Sequence, residues 1–221
     1  MVIKKKIVAK KNKPMMVSIV LDETGSMMCR KEETISAFNE YVSSLKKLKH
    51  PVSITLTKFN SSRVEVIYTD KDLKDVPMLN NETYHPDLLT PLYDAVGKTI
   101  NAIDLKKVDK DKSVLIVILT DGQENASKEY NQQKVFNLIK GKQAKGWTFV
   151  FMGADQDAWL ASSVLGISKG NTMSFSGKDM KGAMRRTASS TVLYATSSMR
   201  AGGMSSTNFF TNTKTKLSKR K

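Results

Sequence analysis

The sequence predicts an α/β fold: a doubly wound, Rossmann-like and mostly parallel sheet with one antiparallel edge strand and helices on both faces. Three observations carry that expectation. Short apolar runs at 15–21, 113–119 and 146–153 are rich in branched aliphatic residues and too short for helices, as strands buried on both faces are. The segments between them repeat apolar residues at helical spacing. Strand and helix therefore alternate, and that rhythm builds a parallel sheet covered on both sides.

The elements follow in order. The strand at 15–21 runs out into Asp22-Glu23-Thr24-Gly25-Ser26, and a helix over about 30–47 carries Ile35, Phe38, Val42 and Leu45 on one face. Residues 52–59 and 64–68 alternate apolar and polar side chains around Ser61-Ser62, which predicts a hairpin containing the antiparallel edge strand. Leu89-Thr90-Pro91-Leu92-Tyr93-Asp94-Ala95 reads as a loop entering a helix over about 91–103. Pro91 is expected at the first helical position, where its missing N–H costs nothing. The strand at 113–119 delivers Thr120-Asp121-Gly122, a carboxylate at a strand end followed by a turn residue. A helix over about 129–143, the strand at 146–153 and a helix over 155–165 complete the alternation. Beyond 165, residues 172–175 are expected as a final edge strand. A terminal helix over 177–200 would place Met180, Ala183, Met184, Ala188, Val192 and Leu193 on one side, although much of it is Ser and Thr, which are poor helix formers.

Chemistry concentrates at the strand ends. Asp22, Thr24 and Ser26 set one carboxylate and two hydroxyls at alternate positions where a strand meets a loop, the place where open α/β sheets bind ligands. Oxygen donors of this kind suit a hard cation such as Mg²⁺ or Mn²⁺. Thr90 and Asp121 add a hydroxyl and a second carboxylate from two later segments.

In this order and on these element types, the pieces resemble the metal-ion-dependent adhesion site of von Willebrand factor A domains. That family's pattern is Asp-x-Ser-x-Ser, then a distant Thr, then an Asp commonly found in Thr-Asp-Gly. The resemblance spans about 15–165, and the stretch from Thr120 to Ser127 is similar to bacterial and phage members. It implies a metal shell of Asp22, Thr24, Ser26, Thr90 and Asp121 around Mg²⁺ or Mn²⁺, completed by an Asp or Glu of a partner protein. Two departures stand out. Thr24 replaces the usual first Ser, keeping the hydroxyl and adding a methyl group, and Leu88-Leu89 stand where many relatives have glycine, which alters the loop that delivers Thr90.

The expected function is thus a metal-dependent protein-binding module, non-enzymatic and cytoplasmic, in the host cytoplasm if phage-encoded. Other roles compete for the same residues. Asp22 and Asp121 are of the type that caps helices. Asp94 reads as a cap or as support for Thr90, and Asn125 and Ser127 read as the start of the next helix. A metal-dependent phosphoesterase would need a general base beside the metal, a role for which Glu23 qualifies by position alone. Ser26 lacks the second glycine of a nucleophile elbow. His50, expected at the surface, and His85, an ordinary loop residue that borders the Thr90 segment, offer little for a catalytic triad. No glycine-rich phosphate loop occurs. Cys29, the one cysteine, is expected in the first turn of a helix as a small structural residue.

Charge divides the chain. Of the formal +15, residues 1–13 supply six lysines and residues 200–221 six Lys or Arg, with no acid in either stretch, which leaves +3 for 14–199. The expected organisation is a basic N-terminal arm (1–13), one α/β domain (14–199, with 165–199 as a C-terminal extension) and a basic Ser/Thr-rich tail (200–221). Such arms attract nucleic acid or other polyanions in a salt-dependent way, so an alternative function is a nucleic-acid-associated scaffold. No apolar run approaches the roughly 20 residues of a membrane span, and no signal-peptide-like stretch precedes Pro14, so neither a membrane role nor secretion is expected.

Overall fold

A computed structural model describes residues 13–107, 112–154, 158–176, 179–201 and 205–210. Residues 1–12, 202–204 and 211–221 of the two basic arms lie outside these residues. The strands are β1 (Met15–Asp22), β2 (Val52–Asn60), β3 (Arg63–Asp72), β4 (Ser113–Thr120), β5 (Thr148–Ala154) and β6 (Thr172–Phe175). The helices are α1 (Lys31–Lys46), α2 (Leu92–Leu105), α3 (Gln132–Ala144), α4 (Ala158–Val164) and α5 (Met180–Ala201). One six-stranded sheet runs in the order β3-β2-β1-β4-β5-β6. Only β3 is antiparallel to its neighbour; β2, β1, β4, β5 and β6 are mutually parallel.

Every residue of β1, β2 and β4 is buried, which is why β1 and β4 read as nearly continuous apolar runs, while β2 buries its alternating Thr and Ser as well. Alternate side chains feed two separate cores. Val17, Ile19, Leu21, Leu115 and Val117 face α1 and α5, whereas Met16, Val20, Ile116 and Ile118 face α2, α3 and α4. The edge strand β3 is half-exposed and carries Arg63, Glu65, Lys71 and Asp72, charges that discourage edge-to-edge pairing.

Several boundaries depart from the sequence expectation. α2 begins at Leu92, with Pro91 at its N-cap rather than inside the helix. A 3-10 turn, Gly25–Arg30, precedes α1 and contains the exposed Cys29. α3 starts at Gln132 instead of about 129, because the Asn131 side chain caps it by accepting from the Lys134 N–H. His50 is buried rather than surface-exposed, at the junction leading into β2; burial lowers its pKa.

α5 lies along α1 and tolerates its Ser and Thr content for a specific reason. Thr187 and Thr191 are buried and donate back to the carbonyls of Ala183 and Thr187, so their hydroxyls are satisfied inside the helix. Thr191 Oγ1 also meets the Tyr41 hydroxyl of α1 at 2.9 Å. Tyr194 and Ala195 are buried, while Val192 and Leu193 are only half-buried. Among the described residues no helix is long and apolar enough to cross a membrane.

Candidate metal centre

Parallel strands side by side bring their C-terminal ends to one edge, and β1 and β4 are neighbours in register, with Leu21 opposite Leu119. Asp22 and Thr120 therefore end the two central strands together, and Asp121 follows. The Asp22 carboxylate is fully buried. Its Oδ1 accepts the Thr24 N–H at 2.8 Å and its Oδ2 accepts the Thr120 hydroxyl at 2.5 Å. Burial raises its pKa to about 6, against the lowering effect of the Thr120 and Thr24 hydrogen bonds. Among the described residues Asp22 has no cationic partner.

The remaining four residues form a continuous chain of hydrogen bonds. Thr90 Oγ1 donates to Thr24 Oγ1 at 3.3 Å, the Thr24 and Ser26 hydroxyls are 3.2 Å apart, and Ser26 Oγ donates to Asp121 Oδ1 at 2.5 Å. Asp121 Oδ2 accepts from Arg30 Nη1 at 2.7 Å. All five residues singled out in the sequence thus meet at one place. Gly122 closes against them: a Cβ there would stand 2.9 Å from Thr90 Oγ1 and 3.4 Å from Ser26 Oγ, so even alanine would crowd the oxygens. A small cleft of about 150 Å³ opens beside the cluster, lined by Thr120, Asp121, Gly122 and Gly153 among others. A wider cleft of about 620 Å³, containing the Asp70–Lys112 ion pair, lies at the opposite ends of the strands and shares no residue with the cluster.

Further residues, not foreseen as site components, hold these loops. Asn125 exchanges two hydrogen bonds with Thr90: its Oδ1 accepts the Thr90 N–H at 2.8 Å and its own N–H donates to the Thr90 carbonyl at 3.1 Å. Asn125 and Ser127 therefore do not start a helix; they belong to a loop strapped onto the head of α2. Glu124 accepts from the N–H groups of Tyr93, Ala126 and Ser127, and Asp94 accepts from those of Lys128, Glu129 and Tyr130. Asp94 thus anchors that loop rather than touching Thr90.

Glu23 is fully buried, and both its oxygens are engaged. Oε1 accepts from Lys58 Nζ at 2.9 Å and from the His85 N–H at 2.7 Å, and Oε2 accepts from Arg63 Nη2 at 3.1 Å. Its carbonyl takes the Asp87 N–H, and the Tyr84 hydroxyl donates to the Asp22 carbonyl at 2.6 Å. Residues 84–87 are thereby fastened to the end of β1. His85 itself is exposed, as expected of a loop histidine. The next residue but two, Leu88, has φ +66°, a left-handed conformation unfavourable for leucine, and its carbonyl accepts the Gly25 N–H at 2.9 Å. The side chains of Leu88, Leu89 and Met28 are about half exposed on these same loops.

No family model and no curated protein matches the sequence. Solved structures do match the fold. A von Willebrand factor type A protein from Catenulispora acidiphila superposes with a TM-score of 0.56 at 11% identity, over 81% of this chain and 43% of that one. The fold is von Willebrand factor A-like. Proximal thread matrix protein 1 from the mussel byssus gives a TM-score of 0.58 at 12% identity, over 82% of this chain and 46% of that one. The manganese-loaded TRAP protein of Plasmodium vivax gives 0.52 at 12%, over 77% and 72%. The chain spans less than half the length of the first two.

On this VWA-like frame the donor set passes a chemical test for a hard divalent cation. It consists of two carboxylates and three hydroxyls, all oxygen. One carboxylate is buried without a cation, and a glycine lies where any side chain would intrude. Among the described residues no group of three or more His, Cys, Asp and Glu gathers anywhere, and this cluster itself unites two carboxylates with hydroxyls. Sequence reasoning picked out the five residues that meet here because each sits at a strand end or helix entrance. It missed Arg30, Asn125, Glu23 and Thr120 as their partners, because nothing periodic in the sequence announces those pairings.

Proposed function

We propose that this protein is a non-enzymatic binding module. In this reading Asp22, Thr24, Ser26, Thr90 and Asp121 hold Mg²⁺ or Mn²⁺ at the C-terminal edge of the sheet, and an Asp or Glu of a partner protein docks there. The bound ion would supply a positive centre with room for one more oxygen ligand. The observation that carries the reading is the convergence of one carboxylate and three hydroxyls from three separate loops into a single hydrogen-bonded chain beside a second, buried and unpaired carboxylate. Oxygens so arranged do little for stability on their own, since burying Asp22 unpaired is costly.

The same geometry argues against a phosphoesterase. The one acidic side chain placed to act as a base, Glu23, spends both oxygens on Lys58, Arg63 and the His85 N–H. The rim suits a protein partner: Met28, Leu88 and Leu89 offer exposed apolar surface around the cluster, where a partner's acidic residue would arrive flanked by apolar neighbours. The manganese-loaded TRAP structure supports metal use on a fold of this kind.

Calorimetric titration of Mg²⁺ and Mn²⁺ into chelator-treated protein tests the reading. Saturable binding is expected in the wild type and none in Asp121→Ala, whose circular dichroism should stay that of a folded α/β protein. Equal uptake by both proteins, or none by the wild type, would overturn it.

A further inference from the structure

We infer that Arg30 is a built-in counter-cation that sets the metal affinity of this cluster; the inference rests on the metal-binding reading above. Three observations point to it. First, Arg30 Nη1 lies 2.7 Å from Asp121 Oδ2, and the Asp121 side chain is only 1% exposed, so the guanidinium sits against a carboxylate that water barely reaches. In such surroundings charge interactions are screened far less than at the surface. Second, Arg30 occupies the N-cap of the 16-residue helix α1, the end at which the helix dipole disfavours a positive charge. Third, Arg30 Nε is buried with no hydrogen-bond partner among the described residues, a cost that a shorter or apolar residue would avoid. Both penalties are accepted where the arginine can neutralise Asp121. Its Nη1 also makes a long contact, 3.6 Å, with the Cys29 sulfur.

The charge count gives the consequence. Asp22, Asp121 and Arg30 together carry a net −1 when both carboxylates are ionised, so a divalent ion leaves the loaded cluster at +1. Without Arg30 the empty cluster carries −2 and the loaded one is neutral. Arg30 therefore weakens cation binding and lets Asp121 stay buried with no ion present. It also leaves the loaded site positive, ready for an anionic side chain. Arg30 is not a ligand here. It acts through Asp121, and its own N-cap position on α1 ties the loop that carries Thr24 and Ser26 to the strand end of β4.

The test uses the full chain and Mn²⁺ alone as the probe. Arg30→Met and Arg30→Gln both remove the charge, and the glutamine keeps a hydrogen-bond donor near Asp121 in case the methionine variant does not fold. Arg30→Lys keeps the charge. Calorimetry should show Mn²⁺ bound at least tenfold more tightly by the neutral variants, equivalent to about 1.4 kcal/mol, and within about threefold of wild type by the lysine variant. In EDTA the neutral variants should melt below wild type, and Mn²⁺ should raise their melting temperature more than it raises that of wild type. Neutral variants that bind Mn²⁺ no better than wild type would remove Arg30's role and leave the metal site standing. No Mn²⁺ uptake by wild type or any variant would remove the metal reading and this inference together.

Discussion

Asp22 shows how a side chain that costs stability can be kept for a proposed binding role. Its carboxylate is buried at the end of β1 with two hydrogen-bond donors and no cation, and burial raises its pKa from 3.8 to about 6. The sign of the consequence follows from linkage. A carboxyl whose folded-state pKa lies above its unfolded value stabilises the fold fully below about pH 4, and that contribution is lost as the pH rises through 6. Asp22→Asn keeps the shape and both hydrogen bonds, with the amide able to donate to the Thr120 oxygen, but it never ionises. In EDTA the stability gap in favour of this variant should widen by about 2 kcal/mol between pH 4.5 and pH 7.5, most of the worth of the shift, and the variant should lose Mn²⁺ binding. Urea unfolding at the two pH values measures the gap. A gap of the same size at both would show that Asp22 is not the titrating group.

At the scale of elements, loops rather than strands or helices do the positioning, and each is fixed by a buried carboxylate. Glu23 gathers Lys58 of β2, Arg63 of β3 and the His85 N–H onto the end of β1. Asp94 and Glu124 fold the segment between β4 and α3 onto the head of α2, where Asn125 meets Thr90. Lys58 has a side chain only 7% exposed, so removing its partner leaves a buried charge. Glu23→Ala should cost about 3–5 kcal/mol, read as a lowered urea midpoint with an unchanged slope. Lys58→Met in the same chain should recover much of that loss, because the stranded charge goes with it. A double variant no more stable than Glu23→Ala alone would mean that the damage comes from the freed His85 loop instead.

For the molecule as a whole, the proposed ion site would couple binding to folding. Asp22 ends β1, Asp121 follows β4, and Thr90 stands before α2, so the donors come from segments far apart in the chain and exist as a set only in the folded state. A cation held by them stabilises the native protein by mass action, by about 2.7 kcal/mol at a concentration one hundred times its dissociation constant. For a chain of this size that corresponds to a melting temperature raised by on the order of 5–10 °C. Differential scanning fluorimetry with and without Mn²⁺ measures it, and Asp121→Ala should show no rise. The helix α5 covers the α1 side of the sheet, where Met180, Ala183, Met184 and Ala188 complete one of the two cores.

The sequence by itself determined the layered α/β architecture, because period-two and helical spacing are local properties and the fully buried strands are unmistakable apolar runs. It also placed Asp22 and Asp121 at strand ends, and parallel strands necessarily carry their ends to one edge. Only the tertiary structure decided which groups those donors meet. Arg30 reaches Asp121 across 91 positions, and Asn125 reaches Thr90 across 35. His50 turned from an expected surface residue into a buried one, and α3 began three residues late because Asn131 caps it. Polar pairings of this kind depend on the shapes of irregular loops. Loops have no repeat to read, so their hydrogen bonds become visible only when the packed sheet and helices have brought the partners together.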